Sequence, residues 1–187
     1  MRTADREAPL MADLRSLRDR AVQILAEVGC PSNVIRHCLC VRDVAVELAE
    51  RLAEKGYEVD ILLVEVGALL HDIGRSVTHS VAHGVVGARI ARELGLPEEV
   101  ARIIERHVGA GITVDEAERV GLPPGDYVPE TLEEKVVCYA DKLVSGCRRA
   151  GIEETVRDFS EKLGEDHPAV RRLLEFHREM EALLDDC

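Results

Sequence analysis

The stretch that decides the fold is Leu69-Leu70-His71-Asp72-Ile73-Gly74-Arg75. It closes an apolar segment that begins near Val59 and predicts a helix, and Gly74 is the residue type that ends helices just past their C-terminus. At such an end the backbone leaves helical geometry, so an imidazole and a carboxylate from adjacent residues can face one point. Nitrogen and oxygen donors together suit zinc, iron, manganese or nickel. One pair is weak evidence, so a metal site requires ligands from other segments.

The composition is typical of a soluble globular protein, with 46% hydrophobic and 32% charged residues in 187. This length predicts a single domain spanning residues 1–187. A net charge of -12 argues against nonspecific binding to long nucleic acids or anionic membranes. The sequence has neither a membrane-spanning apolar run nor a secretion signal, so we expect a cytoplasmic protein.

The six cysteines have no paired Cys-x-x-Cys spacing of the kind found in structural zinc sites. In a protein without a secretion signal, cysteines are expected to be reduced thiols. Cys38 and Cys138 lie on apolar faces of their segments, which predicts that both are small core residues.

Helical periodicity covers nearly the whole chain, and no segment has credible strand alternation. Ser32 is the expected N-cap of the second helix, and Thr131-x-x-Glu134 is a capping box. Glycine and proline predict a loop over 121–129. The expected helices span about 10–28, 32–55, 59–70, 79–94, 97–107, 115–120, 131–144, 153–163 and 168–184. The pattern predicts an all-α bundle.

Four further polar residues lie on predicted helices other than the one that carries His71 and Asp72: His37, His83, His107 and Asp141. Each histidine alone is more often a core residue with a satisfied nitrogen. Asp141 lies in an apolar helix, where an unpaired carboxylate is costly unless it binds a cation. Helical bundles build metal sites from side chains on facing helices. The convergence of five such positions therefore favours a metal site.

With these residues in this order, the sequence resembles the HD-domain metal-dependent phosphohydrolases of the HDIG subgroup. The resemblance covers about Ser32 to Ser145 and is nearest to short archaeal-type HDIG proteins. The same ligand pattern occurs in bacterial HD proteins that hydrolyse diadenosine tetraphosphate. The matching pieces, in order, are His37, His71-Asp72-Ile73-Gly74, His83-Gly84-Val85-Val86-Gly87-Ala88, Arg106-His107-Val108-Gly109 and Tyr139-Ala140-Asp141.

The resemblance implies an HD core over about 32–145, flanked by helices within 1–29 and 152–187. It also implies two divalent metals per chain, of which the identity (Fe, Mn, Ni, Zn or Mg) stays open. The first metal would be held by His37, His71, Asp72 and Asp141, and the second by His83 and His107 with Asp72 bridging. The segment between His107 and Asp141 is longer than in the diadenosine-tetraphosphate hydrolases, and its 121–129 piece is a candidate lid or substrate wall.

The function that follows is hydrolysis of a phosphomonoester, phosphodiester or phosphoanhydride by a metal-activated water. The expected partner is a small, phosphorylated, nucleotide-like substrate. Asp72 would bridge the metals, Arg75 and Lys142 would contact phosphate, and His79 would protonate a leaving oxygen. We interpret Arg106 as a solvated surface charge or a helix-end partner, and Tyr139 as a core residue. Tyr127 is a candidate to cover a base, and His167 and His177 are expected at the surface.

Two other functions stay open. Some HD-fold proteins use a di-iron pair to activate oxygen, and others are catalytically silent modules that bind a ligand. All six expected ligands are present here, which weighs against a silent module. A homodimer is also possible.

Overall fold

The computed structural model describes residues 13–185, and most of these residues are helical. The prediction of an all-α fold is confirmed. The helices are α1 (Leu14–Glu27), α2 (Ser32–Glu54), α3 (Ile61–Leu70), α4 (His83–Glu93), α5 (Glu98–Arg106), α6 (Val114–Arg119), α7 (Leu132–Lys142), α8 (Ile152–Leu163) and α9 (Pro168–Leu184), with a 3₁₀ turn at Ile73–Ser76 after α3. Among the residues described, no helix is both long and apolar enough to cross a bilayer.

Helix α3 is the centre of the bundle. Apart from Glu65, its sequence is apolar, as expected for a helix that is enclosed by others. It packs against α1, α2, α5 and α7. Its last turns are buried at Val64, Val66, Gly67, Ala68, Leu69 and Leu70. The end of α3, and with it the His-Asp pair, is therefore fixed from several directions.

Two hydrophobic cores lie on either side of α3. One joins α2, α7 and α9 and includes Cys138. The other joins α1, α4 and α5 and includes Cys38. Both cysteines were expected in the core, and both are fully buried. Helix α9 contributes Leu173, Phe176 and Met180 to the first core, so the C-terminal helices are packed against the bundle.

Several local predictions need correction. Helix α4 begins at His83 rather than near residue 79. Ser32 is the first residue of α2 and makes no side-chain cap. The predicted capping box is present, because Thr131 accepts from the Glu134 backbone and Glu134 accepts in return. An unexpected two-residue hairpin pairs Val144–Ser145 with Arg148–Arg149. The predicted start of α1 near Leu10 lies outside the described residues.

The hairpin also overturns the prediction that all cysteines are free thiols. Cys147, which lies in the turn of the hairpin, forms a disulfide with Cys40 on α2. Their Cα atoms are 5.5 Å apart. The prediction failed because the two residues are 107 positions apart and the hairpin that joins them had no strand pattern. Cys30, Cys38 and Cys138 are free, as expected.

The segment 121–129 is a loop, as predicted, and folds onto the chain before α6. Ile112 and Tyr127 exchange backbone hydrogen bonds of 3.3 and 2.9 Å. The Tyr127 ring packs with Ile112, Ala117 and Leu122, and its hydroxyl donates to the Pro123 carbonyl at 2.8 Å. Tyr127 is buried within this segment, so it does not serve as the predicted cover for a base.

Gly74 allows the 3₁₀ turn to touch α4. A Cβ atom at this position would overlap the carbonyl oxygen of His83 and would lie 2.7 Å from the Gly87 nitrogen. These neighbours are backbone atoms, which cannot rotate away. The contact brings the start of α4 beside Asp72, so the glycine determines the position of His83 relative to the His-Asp pair.

Replacing Gly74 with alanine is expected to destabilise the protein by about 1–3 kcal/mol, because an added methyl group overpacks this backbone contact. The melting temperature should fall by several degrees in a thermal scan. Val77→Ala is the matched control, since Val77 follows the same turn and is 65% exposed. An unchanged melting temperature in Gly74→Ala would show that α4 can move away at no cost.

Candidate metal centre

The six predicted ligand residues converge on one point inside the bundle. His37 comes from α2, His71 and Asp72 from the end of α3, His83 from the start of α4, His107 from the end of α5 and Asp141 from α7. His71, Asp72, His83 and His107 are buried, and His37 and Asp141 are half-buried. The ligand atoms of His37, His71 and Asp141, and those of His71, Asp72 and His107, lie within 4.8 Å of one another.

The two carboxylate oxygens of Asp72 divide the histidines into two sets. Oδ1 lies 3.3 Å from His83 Nε2 and 3.4 Å from His107 Nε2. Oδ2 lies 3.7 Å from His71 Nε2 and 4.0 Å from His37 Nε2. One oxygen of the Asp72 carboxylate therefore faces each set.

Asp141 completes the first set. Its Oδ1 lies 2.9 Å from His37 Nε2 and 3.6 Å from His71 Nε2. The first set therefore has His37, His71, Asp141 and one oxygen of Asp72, while the second has His83, His107 and the other oxygen of Asp72.

All four histidines use Nδ1 to contact a backbone carbonyl. The acceptors are Gly146 for His37 at 2.8 Å, Ala68 for His71 at 2.8 Å, Ser80 for His83 at 2.7 Å and Ile104 for His107 at 2.7 Å. A carbonyl only accepts, so each Nδ1 donates its proton to that carbonyl and each Nε2 is left facing the centre. Such contacts orient histidines that bind metals.

The histidine nitrogens that face the centre fit a cation. His83 Nε2 and His107 Nε2 are 3.0 Å apart, and two facing lone pairs repel unless a proton or a metal lies between them. Burial lowers the pKa of His107 to about 4, so this imidazole is neutral at pH 7. His71 Nε2 and Asp72 Oδ1 are buried without a hydrogen-bond partner, which is costly unless a ligand binds them. The residues therefore fit a metal centre.

The carboxylates are ionised despite their positions. Burial alone would raise the pKa of Asp72, but the surrounding imidazoles hold it well below its usual range. Burial acts in the same direction on Asp141, and Lys142 together with His37 brings its pKa well below the usual range. Both side chains thus present anionic oxygens to the centre.

The predicted phosphate contacts Arg75 and Lys142 are bound to ligand residues. Arg75 Nε donates to Asp72 Oδ2 at 2.6 Å, and the buried Lys142 Nζ donates to Asp141 Oδ2. Arg106 pairs with Glu130 at 2.7 Å and Glu134 at 3.0 Å, in agreement with its interpretation as a helix-end partner. The exposed His79 lies in the loop before α4, at the mouth of a cleft.

This cleft, here called the C-terminal cleft, has a volume of about 550 Å³ and includes His83 in its wall. One side is formed by residues 79–83 and 108–120, and the other by 159–172 of α8 and α9. No residue of the 121–129 loop lines it within the described chain, so that loop is not its wall. The apolar and basic side chains in its lining include Val81, Arg119, Val120, Phe159, Lys162, Leu163, His167 and Arg172.

Sequence reasoning missed the contribution of α8 and α9. His167 was expected to be a surface residue, yet it lines the cleft and its Nδ1 caps α9 by accepting from the Ala169 backbone at 3.2 Å. His177 contacts the hydroxyl of the buried Tyr139 at 2.8 Å and is half-buried. These helices lie outside the region of resemblance and have no spacing motif. The sequence therefore predicted the helices from their apolar periodicity but not their contribution to the cleft.

Three relatives align over most of this chain. An uncharacterized protein of Methanocaldococcus jannaschii is 51% identical over 166 residues, which cover 89% of this chain and 98% of that protein. A tRNA (cytidine(56)-2'-O)-methyltransferase of Thermoplasma volcanium is 40% identical, covering 84% of this chain and 44% of its own length. Ribonuclease Y of Acidothermus cellulolyticus is 32% identical, covering 70% of this chain and 23% of its own length. The chain thus spans under half of the last two proteins.

Among solved structures, the HD domain of the phosphodiesterase PgpH of L. monocytogenes matches with a TM-score of 0.49 and 18% identity, over 88% of this chain and 96% of that chain. The profile of the HD domain matches residues 34–146, which contain every ligand residue of the centre. The resemblance first read from the motifs is thereby confirmed at the family level, and the chain belongs to the HD-domain family.

Proposed function

We propose that this protein is a metal-dependent phosphohydrolase that acts on a nucleotide-like substrate. The observation that carries the proposal is the arrangement at Asp72, whose two oxygens face two separate pairs of histidine Nε2 atoms. Centres of two divalent ions bridged by a carboxylate suit the displacement of groups at phosphorus. The HD-domain family and the hydrolytic name of ribonuclease Y support the same class of reaction.

The donor set favours two metals per chain. His37, His71, Asp72 and Asp141 would hold one ion, and His83 and His107 would hold a second, with Asp72 shared. Four imidazoles favour iron, manganese, nickel or zinc over magnesium, which prefers oxygen ligands. Bound divalent ions would activate a water as nucleophile and offset negative charge on the phosphoryl oxygens.

The cationic residues near the centre act on its carboxylates. Arg75 holds one oxygen of Asp72 and Lys142 holds one oxygen of Asp141, so we assign both as positioning residues. The exposed His79 lines the C-terminal cleft together with His83. It is available to protonate the oxygen of a leaving group that lies in the cleft.

Hydrolysis of an RNA phosphodiester is a second candidate. The specific observation is that two relatives have names that refer to RNA, a tRNA methyltransferase and ribonuclease Y. The net charge of -12 opposes binding of a long polyanion. A panel that contains both mononucleotides and a short RNA oligonucleotide separates the two candidates.

Oxygen activation and silent ligand binding are the remaining alternatives. Hydrolysis by manganese-loaded protein under anaerobic conditions would exclude a dependence on iron redox cycling. A protein that binds no metal and hydrolyses nothing after reconstitution with manganese or iron would instead be a silent module.

Asp72→Asn should reduce hydrolysis of bis(p-nitrophenyl) phosphate by at least about a hundredfold, because the amide cannot bridge two cations as an anion. The measurement is turnover by manganese-loaded, anaerobically purified protein. Asp43→Asn is the control, since Asp43 is exposed on α2 and its ion pair is with Arg42, away from the candidate centre. Full activity in Asp72→Asn would refute the proposed bridging role.

His83→Ala and His107→Ala are each expected to lower the bound metal from about two ions to about one per chain, because the second set loses half of its imidazoles. Elemental analysis after gel filtration gives the stoichiometry. His79→Ala serves as the comparison and should retain both ions. One ion in the unaltered protein would mean that His83 and His107 serve the substrate instead.

Arg75→Met should weaken metal affinity by about tenfold to a hundredfold, the usual effect of removing a residue that orients a ligand. A titration against a chelating dye measures this affinity, and Arg89→Met, on the exposed face of α4, is the control. If Arg75→Met instead kept its metal affinity and lost only affinity for phosphate, Arg75 would be a substrate contact.

A further inference from the structure

The C-terminal cleft has an apolar floor and an apolar rim. Val108, Ile112 and Phe159 lie in its wall, and Val81, Val120 and Leu163 are 38%, 50% and 46% exposed at its edge. Single exposed apolar side chains are common at protein surfaces, whereas several around one concavity indicate a binding site. The volume of about 550 Å³ is within the range of small-molecule sites.

The charge of the cleft is opposite to that of the whole protein. Arg119, Lys162 and Arg172 line it, and Glu116 is its acidic residue. Glu116 pairs with Arg172 at 2.7 Å, while Arg172 also donates to the Gly111 carbonyl at 2.8 Å. Within residues 13–185, the side chains of Arg119 and Lys162 make neither an ion pair nor a hydrogen bond. Two cations are therefore available to an anionic ligand in a chain of net charge -12.

A histidine adds a neutral donor. His167 Nδ1 accepts the Ala169 backbone hydrogen, so in the neutral ring the proton resides on Nε2. The cleft thus combines an aromatic ring, aliphatic side chains, two unpaired cations and a nitrogen donor. A ligand that complements all of these has a flat, weakly polar ring joined to an anionic group.

We propose that the C-terminal cleft binds one nucleotide unit of the substrate, with its base against Phe159 and its phosphate near Arg119 and Lys162. This inference rests on the proposed function, because it assigns the substrate side of the metal centre through the shared residue His83. The nucleotide unit is either a free nucleotide or the terminal nucleotide of an RNA. The residues on the α8 and α9 side lie beyond the family match, which ends at residue 146.

The experiment is calorimetric titration of metal-loaded protein with three probes: AMP, adenosine, which has no phosphate, and ribose 5-phosphate, which has no base. Phe159→Leu keeps an apolar side chain for packing and removes the ring face. It should weaken the binding of AMP and adenosine by about fivefold to a hundredfold, the usual contribution of base stacking. The affinity for ribose 5-phosphate should be unchanged.

The charge variant should show the converse pattern. The double variant Arg119→Glu, Lys162→Glu should weaken the binding of AMP and ribose 5-phosphate at least about tenfold. Its affinity for adenosine should be unchanged. Arg89→Glu and Tyr57→Leu are matched controls, since neither residue lines the cleft, and both should bind all three probes normally. Thermal scans establish that every variant is folded.

The outcomes separate this inference from the proposed function. Absence of AMP binding, or equal loss of all three probes in both variants, would overturn the cleft assignment even if phosphodiesters are hydrolysed. The expected pattern without any hydrolysis would support the cleft and refute the phosphohydrolase. Competition of a short RNA against AMP identifies the source: tighter binding of the RNA assigns a terminal nucleotide, and weaker binding assigns a free one.

Discussion

The structure depends on a buried carboxylate surrounded by four imidazoles. Asp72 is 3% exposed, and its oxygens are within 4.0 Å of four histidine nitrogens. Burying an anion is unfavourable unless cations or donors compensate it. Arg75 supplies one donor, while Asp72 Oδ1 has no hydrogen-bond partner among the described residues. The site is therefore electrostatically incomplete in the protein alone, which explains why the arrangement suits divalent cations.

The rest of the fold serves to hold this group in place. Helix α3 is enclosed by α1, α2, α5 and α7, so its C-terminal end cannot shift without disturbing both cores. Gly74 and Gly87 remove the side chains that would separate the 3₁₀ turn from α4. Rigid support of this kind keeps metal ligands close to their binding geometry without the metal.

The sequence predicts which positions converge in the bundle but not what surrounds them. The convergence of His37, His71, His83, His107 and Asp141 could be predicted because histidines and a carboxylate on apolar helix faces are rare and form a family motif. Phe159, Lys162 and His167 could not be found, since ordinary amphipathic helices carry them and only tertiary packing brings them near His83. The Cys40–Cys147 pair was missed for the same reason, as its residues meet through a hairpin with no sequence pattern.

The carbonyl partners of the histidines differ in how far they are along the chain. For His71, His83 and His107 the acceptor is three residues earlier, so each ring is oriented by the turn of chain that precedes it. His37 instead contacts Gly146, 109 residues away, in the hairpin that Cys147 links to α2. Three imidazoles are thus oriented by local structure, whereas the orientation of the fourth, His37, depends on a tertiary contact. Local opening of the hairpin would disorient His37 first and leave the other rings aligned.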